Sequence, residues 1–161
     1  MTLTTERLRH VLSYDQDTGV FTNRIRRGVC EVGKVVGTVN KDGHLRIRLD
    51  FKRYFAHRLA WFYVTGEWPE NQIDHIDGDP GNNRFANLRD AHRSINMQNR
   101  RKAQKNSATG VLGVQFAGKY GYRAAIKQDG KPTYIGTYRT LEEARQAYLE
   151  RKRTIHPGCT I

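Results

Sequence analysis

The feature that most constrains this chain is a run of Asp, His and Asn residues between positions 73 and 99. Asp74 and His75 are adjacent, and Asn87 and Asn96 follow them along the chain. The stretch Asp77-Gly-Asp-Pro-Gly81 directly after His75 has turn composition. It predicts a tight turn that links two short strands, so that the Asp-His pair lies at the end of the first strand.

Two other interpretations of this region are a calcium loop and a surface pair on a hairpin. A calcium loop starting at Asp77 would need Gly at position 82 and Glu at position 88, where the chain has Asn82 and Leu88. Asp74-His75 taken alone would indicate a surface pair on a hairpin. Interpreting the pair as part of a functional site depends on Asn87 and Asn96. Asn99 is an alternative to Asn96 as a ligand of a metal ion.

The charge of the chain favours a polyanionic partner. The 161 residues include 28 Lys and Arg against 16 Asp and Glu, a net charge of +12, and such an excess favours phosphate contacts. Taken alone, the net charge would be explained equally well by a need for solubility.

Cys30 and Cys159 are far apart, which argues against a disulfide framework or zinc ribbon and suggests a reducing compartment. With no apolar run of membrane length, we expect a cytoplasmic protein with no membrane partner.

Pattern divides the chain into three zones. Residues 1–68 read as a strand-rich α+β region with a helix after Thr4, an alternating strand at Leu45–Leu49 and a short helix at His57–Thr65. In that strand Arg46 and Arg48 share one exposed face. Residues 69–105 hold the Asp-His-Asn cluster and end in a basic run that could continue a helix from Ser94.

Residues 106–161 form the third zone, after a boundary of linker composition at 103–109. Three strands are predicted at 110–116, 122–127 and 133–138, with a turn at 128–131. Thr140 and Glu143 make a capping box at the start of a final helix. The aromatic residues of this zone, Phe116, Tyr134, Tyr138 and Tyr148, are predicted to be core.

The residue types in the cluster suit phosphodiester hydrolysis. A neutral imidazole can accept a proton from water near pH 7, so His75 is the candidate general base. Asp74 and Asn96 offer hard oxygen ligands to one Mg²⁺ (or Mn²⁺) ion per active site. The Asn87 amide can bond the loop that carries His75 and fix the ring. Of the other histidines, His57 is expected to be packed or capping, and His10, His44, His92 and His156 to be solvated.

Asp74-His75, Asn87 and Asn96, together with His57-Arg-Leu-Ala-Trp61, resemble the HNH (His-Asn-His) homing endonucleases of phage genomes and introns, in the branch whose last His is Asn. The resemblance implies an α+β fold around a small ββα-metal (His-Me finger) catalytic unit. It also implies His75 as base, Asp74 and Asn96 as metal ligands and Asn87 as loop anchor.

A second resemblance covers the third zone. Gly110-Val-Leu-Gly-Val114, Tyr122-Arg-Ala-Ala-Ile126 and Tyr134-Ile-Gly-Thr-Tyr138 are similar to the DNA-binding (AP2-like) domain of plant ethylene-response factors, in which a three-stranded sheet lies in the major groove. Gln115 stands where that family has Arg, so its base preference does not carry over. The candidate DNA-binding residues of the whole chain are Arg46, Arg48, Arg84, Arg100, Arg101, Lys102, Gln115, Arg123, Lys127, Lys131 and Thr133.

These observations predict a metal-dependent endonuclease that cuts double-stranded DNA, leaves 5′ phosphate and 3′ hydroxyl ends and acts as a monomer or homodimer without a small-molecule substrate. The alternatives are a non-catalytic DNA-binding regulator on a nuclease scaffold and a restriction-type or structure-specific nuclease.

Overall fold

The computed structural model describes residues 2–128, 130–156 and 158–160, and the predicted turn at 128–131 lies partly outside them. The fold class is α+β, as predicted. The chain divides into two compact units, residues 1–93 and 94–161. The sequence predicts boundaries near 68 and 105 instead. Among the described residues, no helix has the length and apolar character that crossing a membrane requires.

The first unit contains three small antiparallel sheets, two α-helices and a short 3₁₀ helix (Phe85–Asn87) in its described part. In chain order its elements are α1 (Thr5–Val11), β1 (Leu12–Tyr14), β2 (Phe21–Asn23), β3 (Thr38–Val39), β4 (Leu45–Leu49), β5 (Lys52–Phe55), α2 (Ala56–Thr65), β6 (Gln72–His75) and β7 (Leu88–Ala91). Strand β1 pairs with β2, β4 lies between β3 and β5, and β6 pairs with β7.

Local sequence signals explain several of these elements. The Thr4 side chain accepts a hydrogen bond from the Arg7 backbone N–H and caps α1. Gly66 ends α2 in the left-handed conformation, which glycine adopts without a Cβ clash. In β4 the apolar residues Ile47 and Leu49 are buried, while the intervening Arg46 and Arg48 are exposed, as the alternation predicts.

One hydrophobic core explains why residues 1–93 form a single unit. Ile73 of β6 and Leu88 of β7 belong to the same buried cluster as Leu8, Phe21 and Leu59. A hairpin of two four-residue strands buries too little surface to be stable alone. The N-terminal region therefore supports the hairpin that carries Asp74 and His75.

The second unit has a three-stranded antiparallel sheet covered on one face by a helix. After α3 (Arg93–Gln98), which begins at the unit boundary, come β8 (Val114–Phe116), β9 (Tyr122–Gln128), β10 (Lys131–Tyr138) and α4 (Leu141–Ile155). Strand β9 is central. The capping box of Thr140 and Glu143 is confirmed at the start of α4, and Val114, Ile126, Ala144 and Tyr148 lie in the core between sheet and helix.

The predicted continuation of the helix from Ser94 through the basic run is wrong, because α3 ends at Gln98. The residues after α3 are instead tied to the C-terminal segment. The Lys152 ammonium donates to the Arg100 carbonyl oxygen at 2.5 Å, and the Gly158 N–H donates to the Gln98 side chain at 3.1 Å. These contacts also explain why residues 94–105 group with the second unit.

Candidate active site

The antiparallel pairing of β6 and β7 determines what Asp74 faces. Asp74 lies opposite Arg89, and its Oδ2 accepts hydrogen bonds from Arg89 Nε at 2.9 Å and Nη2 at 2.6 Å. The Asp74 side chain is only 8% exposed, so this ion pair compensates a buried charge. Any cation bound by Asp74 has to share the carboxylate with Arg89.

His75 follows Asp74 on the strand and packs against two other imidazoles. Its ring centroid is 5.1 Å from that of His57 and 5.7 Å from that of His44. His57 is in the first turn of α2, and His44 directly precedes β4. Three elements that are distant in sequence thus bring their histidines together beside the predicted catalytic strand.

The Asn83 side chain favours one tautomer of His75. The Asn83 amide is buried, and its Nδ2 donates to the Gly81 carbonyl oxygen at 3.0 Å. Its Oδ1 lies 3.4 Å from His75 Nε2. An amide oxygen only accepts, so this contact favours a ring with its proton on Nε2 and its lone pair on Nδ1.

The surroundings of His75 also keep it uncharged. Burial lowers the pKa of His75 below its ordinary value, although the Asn83 contact and the carboxylates of Asp77, Asp74 and Asp79 act in the opposite direction. The net shift is downward, so the ring is neutral at pH 7 and can accept a proton.

Asn87 cross-links the loop that follows His75. Its Oδ1 accepts from the Asp77 backbone N–H at 3.0 Å, and its Nδ2 donates to Asp77 Oδ1 and to the Asn82 carbonyl oxygen, both at 2.9 Å. Its own carbonyl oxygen accepts from the Ile76 N–H at 2.8 Å. These are the kinds of contact that the loop-anchor prediction requires, and the effect of Asn87 on catalysis stays a prediction.

The two candidate second ligands belong to the second unit. Asn96 is half-buried on α3, whereas Asn99 is buried just beyond it. The Oδ1 of Asn99 accepts a 2.6 Å hydrogen bond from the Thr160 hydroxyl. That bond engages the oxygen of Asn99 that a metal would need. Ligation by Asn96 stays a prediction.

Two predictions about histidines are wrong and three are confirmed, since His10 and His92 are exposed as predicted. His57 is packed, with 7% of its surface exposed. His44 is half-buried against His57 rather than solvated, because α2 places His57 beside the turn that precedes β4. His156 is also half-buried, and its Nε2 lies 2.7 Å from the Lys127 carbonyl oxygen.

Sequence reasoning missed the roles of Arg89 and Asn83. Arg89 follows Asn87-Leu88, and a strand register that pairs it with Asp74 would have identified it as the partner of that carboxylate. Asn83 stands beside Asn82 in a polar loop, where nothing in the sequence marks one of the pair as buried. His44 carries no local signal, since its contacts are with residues distant in sequence.

The basic residues predicted to bind DNA in the first unit are at its surface. Arg46, Arg48 and Arg84 are exposed. Arg53 of β5 lies directly opposite Arg48, so the two guanidinium groups share one face of the sheet. The Arg46 guanidinium lies 4.6 Å from the centroid of the Phe55 ring, which orients it on that face.

The pairing of β9 with β10 separates the residues predicted to line the sheet of the second unit. Gln115, Arg123 and Lys127 alternate with the buried positions and lie on the open face. Thr133 is paired with the buried Ile126 instead and therefore lies on the face that α4 covers.

By the same alternation Lys131, paired with Gln128, belongs to the helix-covered side, although it is exposed at the end of its strand. The prediction that these five residues form one set is wrong in this respect. The irregularity between Tyr134 and Gly136 shifts the register within β10, and a period-two reading of the sequence does not anticipate it.

Two aromatic residues predicted to be core are exposed. Phe116 is 64% exposed and Tyr134 is 56% exposed, while Tyr148 is buried as predicted. The Arg123 guanidinium lies 5.3 Å from the Tyr134 ring centroid on the open face. The open face thus combines cationic and aromatic groups.

The basic run after α3 is at the surface of the second unit. Arg100, Arg101 and Lys102 are exposed. Arg101 Nη2 donates to the Thr160 hydroxyl at 2.6 Å, so its side chain is held against the C-terminal segment.

Comparison with known proteins identifies the central part of the chain. Residues 54–98 match the family model described as "HNH endonuclease". This segment, from the end of β5 to the end of α3, is similar to the HNH endonuclease family. No curated protein matches the chain.

Among solved structures, the chain resembles one entitled "DNA binding and cleavage by the HNH homing endonuclease I-HmuI", at 26% identity and a TM-score of 0.43. The match covers 55% of this chain and 51% of that one. The aligned part therefore spans about half of the length of that chain.

Proposed function

We propose that this protein is a metal-dependent endonuclease that hydrolyses phosphodiester bonds in double-stranded DNA. The observation that carries the proposal is His75, a buried and neutral imidazole next to Asp74, with its Nε2 facing the Asn83 amide oxygen. It lies within the segment that matches the HNH endonuclease family. The strongly basic chain fits a polyanionic substrate.

His75 acts as the general base in this proposal. Its Nδ1 accepts the proton of the attacking water, because Nε2 is engaged as a donor to Asn83. Asn83 then stabilises the imidazolium that forms. Asn87 keeps the loop after His75 in place through its bonds to Asp77 and Asn82.

A divalent cation, Mg²⁺ or Mn²⁺, would be held by Asp74, a buried carboxylate whose hard oxygens suit either ion. When bound, such an ion supplies positive charge that stabilises the developing charge on the phosphate and the leaving oxygen. Asn96 is the proposed second ligand. The products would carry 5′ phosphate and 3′ hydroxyl ends.

Exposed cationic and polar side chains would hold the DNA. In the first unit these are Arg46, Arg48 and Arg84, and in the second unit the open face of β8–β10 offers Gln115, Arg123 and Lys127. The resemblance of the sequence of this zone to AP2-like domains supports a DNA-binding role and a preferred site, as expected of a phage homing enzyme that acts in the host cytoplasm.

A supercoiled-plasmid assay with purified protein tests the proposal. With Mg²⁺ we expect relaxed or linear product, and with a chelator none. His75→Ala should lower the rate by about 10²- to 10⁴-fold, the usual contribution of a general base, while DNA affinity is retained. His10→Ala, which removes an exposed histidine of α1, is the matched control. Full activity of His75→Ala would refute the assignment of the base.

A non-catalytic DNA-binding regulator is the second candidate, and the Asp74–Arg89 ion pair is the observation that favours it. A carboxylate already neutralised by a guanidinium is a poorer cation ligand. DNA binding without any strand break, over a range of divalent cations and with plain, branched and methylated DNA, would support this candidate. Cutting confined to branched or methylated DNA would indicate a structure-specific or restriction-type nuclease.

A further inference from the structure

The cluster of His44, His57 and His75 is not explained by the proposed reaction, which needs only one of the three rings. Each residue offers a ring nitrogen, and the three nitrogens all lie within 4.8 Å of one another. In the part of the chain that the structure describes, no other group of three His, Cys, Asp or Glu side chains has this spacing.

Two ring nitrogens of this cluster, one on His57 and one on His44, lack hydrogen-bond partners among the described residues. Only 7% of the His57 surface is exposed. Its Nδ1 is a buried atom without a hydrogen bond to any described residue. The same holds for His44 Nδ1. A buried polar atom that has no partner costs about 1–3 kcal/mol, and two of them side by side indicate that a ligand supplies the missing interaction.

We propose that these three histidines bind one transition-metal ion of the Zn²⁺, Co²⁺ or Ni²⁺ class, at a site different from that of the hydrolytic cation. Imidazole nitrogen suits these metals, whereas Mg²⁺ prefers oxygen. Tetrahedral zinc with Zn–N bonds of about 2.0–2.1 Å places its ligand nitrogens roughly 3.3 Å apart. Small side-chain rotations, for which half-buried His44 has room, close the difference.

The chemical surroundings fit a cation at this place. Asp42 acts on His44, and Asp74, Asp77 and Asp79 act on His75, each in the direction that favours positive charge. Arg46 and Arg58 act in the opposite direction on His44 and His57. The four carboxylates outnumber the two guanidinium groups, and Phe55, stacked on His57 with ring centroids 5.2 Å apart, shields one side.

Metal binding here would have a consequence for catalysis, and this part of the inference rests on the proposed function. A coordinated imidazole uses one nitrogen as ligand and keeps its proton on the other, so it has no lone pair left to accept a proton. An ion of this class would therefore withdraw His75 from its role as base. Micromolar Zn²⁺ should inhibit cleavage even when Mg²⁺ is in large excess.

The test is a Co²⁺ titration of the full chain, followed by the visible absorption of tetrahedral cobalt and by calorimetry. We expect one ion per chain, displaced by Zn²⁺ and not by Mg²⁺. His57→Gln and His44→Gln should each weaken Co²⁺ binding roughly tenfold or more. His10→Gln is the histidine control, and Asp74→Asn, which disables the proposed Mg²⁺ ligand, should weaken Co²⁺ binding far less than the loss of a histidine does.

The outcomes separate this inference from the proposed function. Wild-type protein that gives no tetrahedral cobalt spectrum would overturn the inference even if it cuts DNA. Unchanged Co²⁺ affinity in His44→Gln, verified as folded by circular dichroism, would do the same, and this half-buried position guards against a misfolded His57 variant. Cobalt binding by a protein that cuts no DNA would support the metal site and count against the nuclease.

Discussion

The β6–β7 hairpin of the first unit and the β8–β10 sheet of the second use polar residues in opposite ways. Along the hairpin, Asp74, His75 and Asn83 are buried, and each has a defined partner or packed neighbour. On the open face of the sheet, Gln115, Arg123 and Lys127 point into solvent from an ordinary two-sided sheet.

Burial explains the difference in chemical behaviour. It lowers the pKa of His75, and the contact with the buried Asn83 amide favours the proton on Nε2. Exposed cations on a sheet keep their full charge and their mobility, which suits contact with a phosphate backbone of variable sequence. The hairpin therefore holds its buried side chains in one geometry, whereas the exposed side chains of the sheet can adopt many.

Breaking the loop anchor should have the largest effect after loss of the base itself. In Asn87→Ala the Asp77 N–H and the Asn82 carbonyl oxygen lose their partner, so the segment after His75 can shift. A displacement of about 1 Å near reacting groups can cost on the order of 10²-fold in rate. We expect that loss in single-turnover cleavage, with DNA affinity within about twofold of wild type.

Asn71→Ala is the control for this prediction, because Asn71 is exposed just before β6. If Asn87→Ala cut DNA as fast as Asn71→Ala, the loop contacts would be dispensable for catalysis. The hairpin would then depend on strand pairing alone.

The buried histidines predict that the first unit loses stability in acid. Burial, followed by the charges of His75, His44 and Arg58, lowers the pKa of His57 to about 3, whereas an unfolded chain has about 6.5. Above pH 6.5 both states are neutral, and the full stability is present. As the pH falls from 6.5 towards 3, the unfolded chain binds the extra proton, and each pH unit costs the fold about 1.4 kcal/mol.

Urea unfolding at pH 7, 6 and 5 measures this effect. Both tryptophans, Trp61 and Trp68, are in the first unit, so their fluorescence reports on that unit alone. His57→Gln should show a shallower fall in unfolding free energy than wild type over this range. Parallel curves for the two proteins would mean that His57 is accessible to protons in the folded state.

The sequence allows local elements to be predicted better than long-range contacts. The capping box of α4, the alternating strand β4 and the end of α2 at Gly66 all follow from residues within a few positions of one another. The merging of residues 1–68 with the β6–β7 hairpin does not, because it depends on Ile73 and Leu88 sharing one buried cluster with residues of α1 and α2.

The candidate site divides in the same way. Asp74, His75 and Asn87 could be selected from their spacing, since a short hairpin keeps them in one region. The contacts of His44 with His57 and His75 join three separate elements, and the burial of Asn83 depends on the folded loop. Thr133 was placed on the wrong face because the register of β10 against β9 includes an irregularity.

The smallest expected effect concerns the open face of the sheet. Arg123→Gln removes one cation that lies over the Tyr134 ring, so DNA affinity should fall only a few-fold and the slope of log K against log salt should decrease by about 0.9. Cleavage at saturating DNA should not change. Arg145→Gln is the matched control, since Arg145 is exposed on α4 and pairs with Glu142 at 3.1 Å. Equal salt slopes for the two variants would show that the open face of the sheet does not contact phosphate. The proposed contrast between a buried hairpin for catalysis and an exposed sheet for DNA binding would then hold for the hairpin alone.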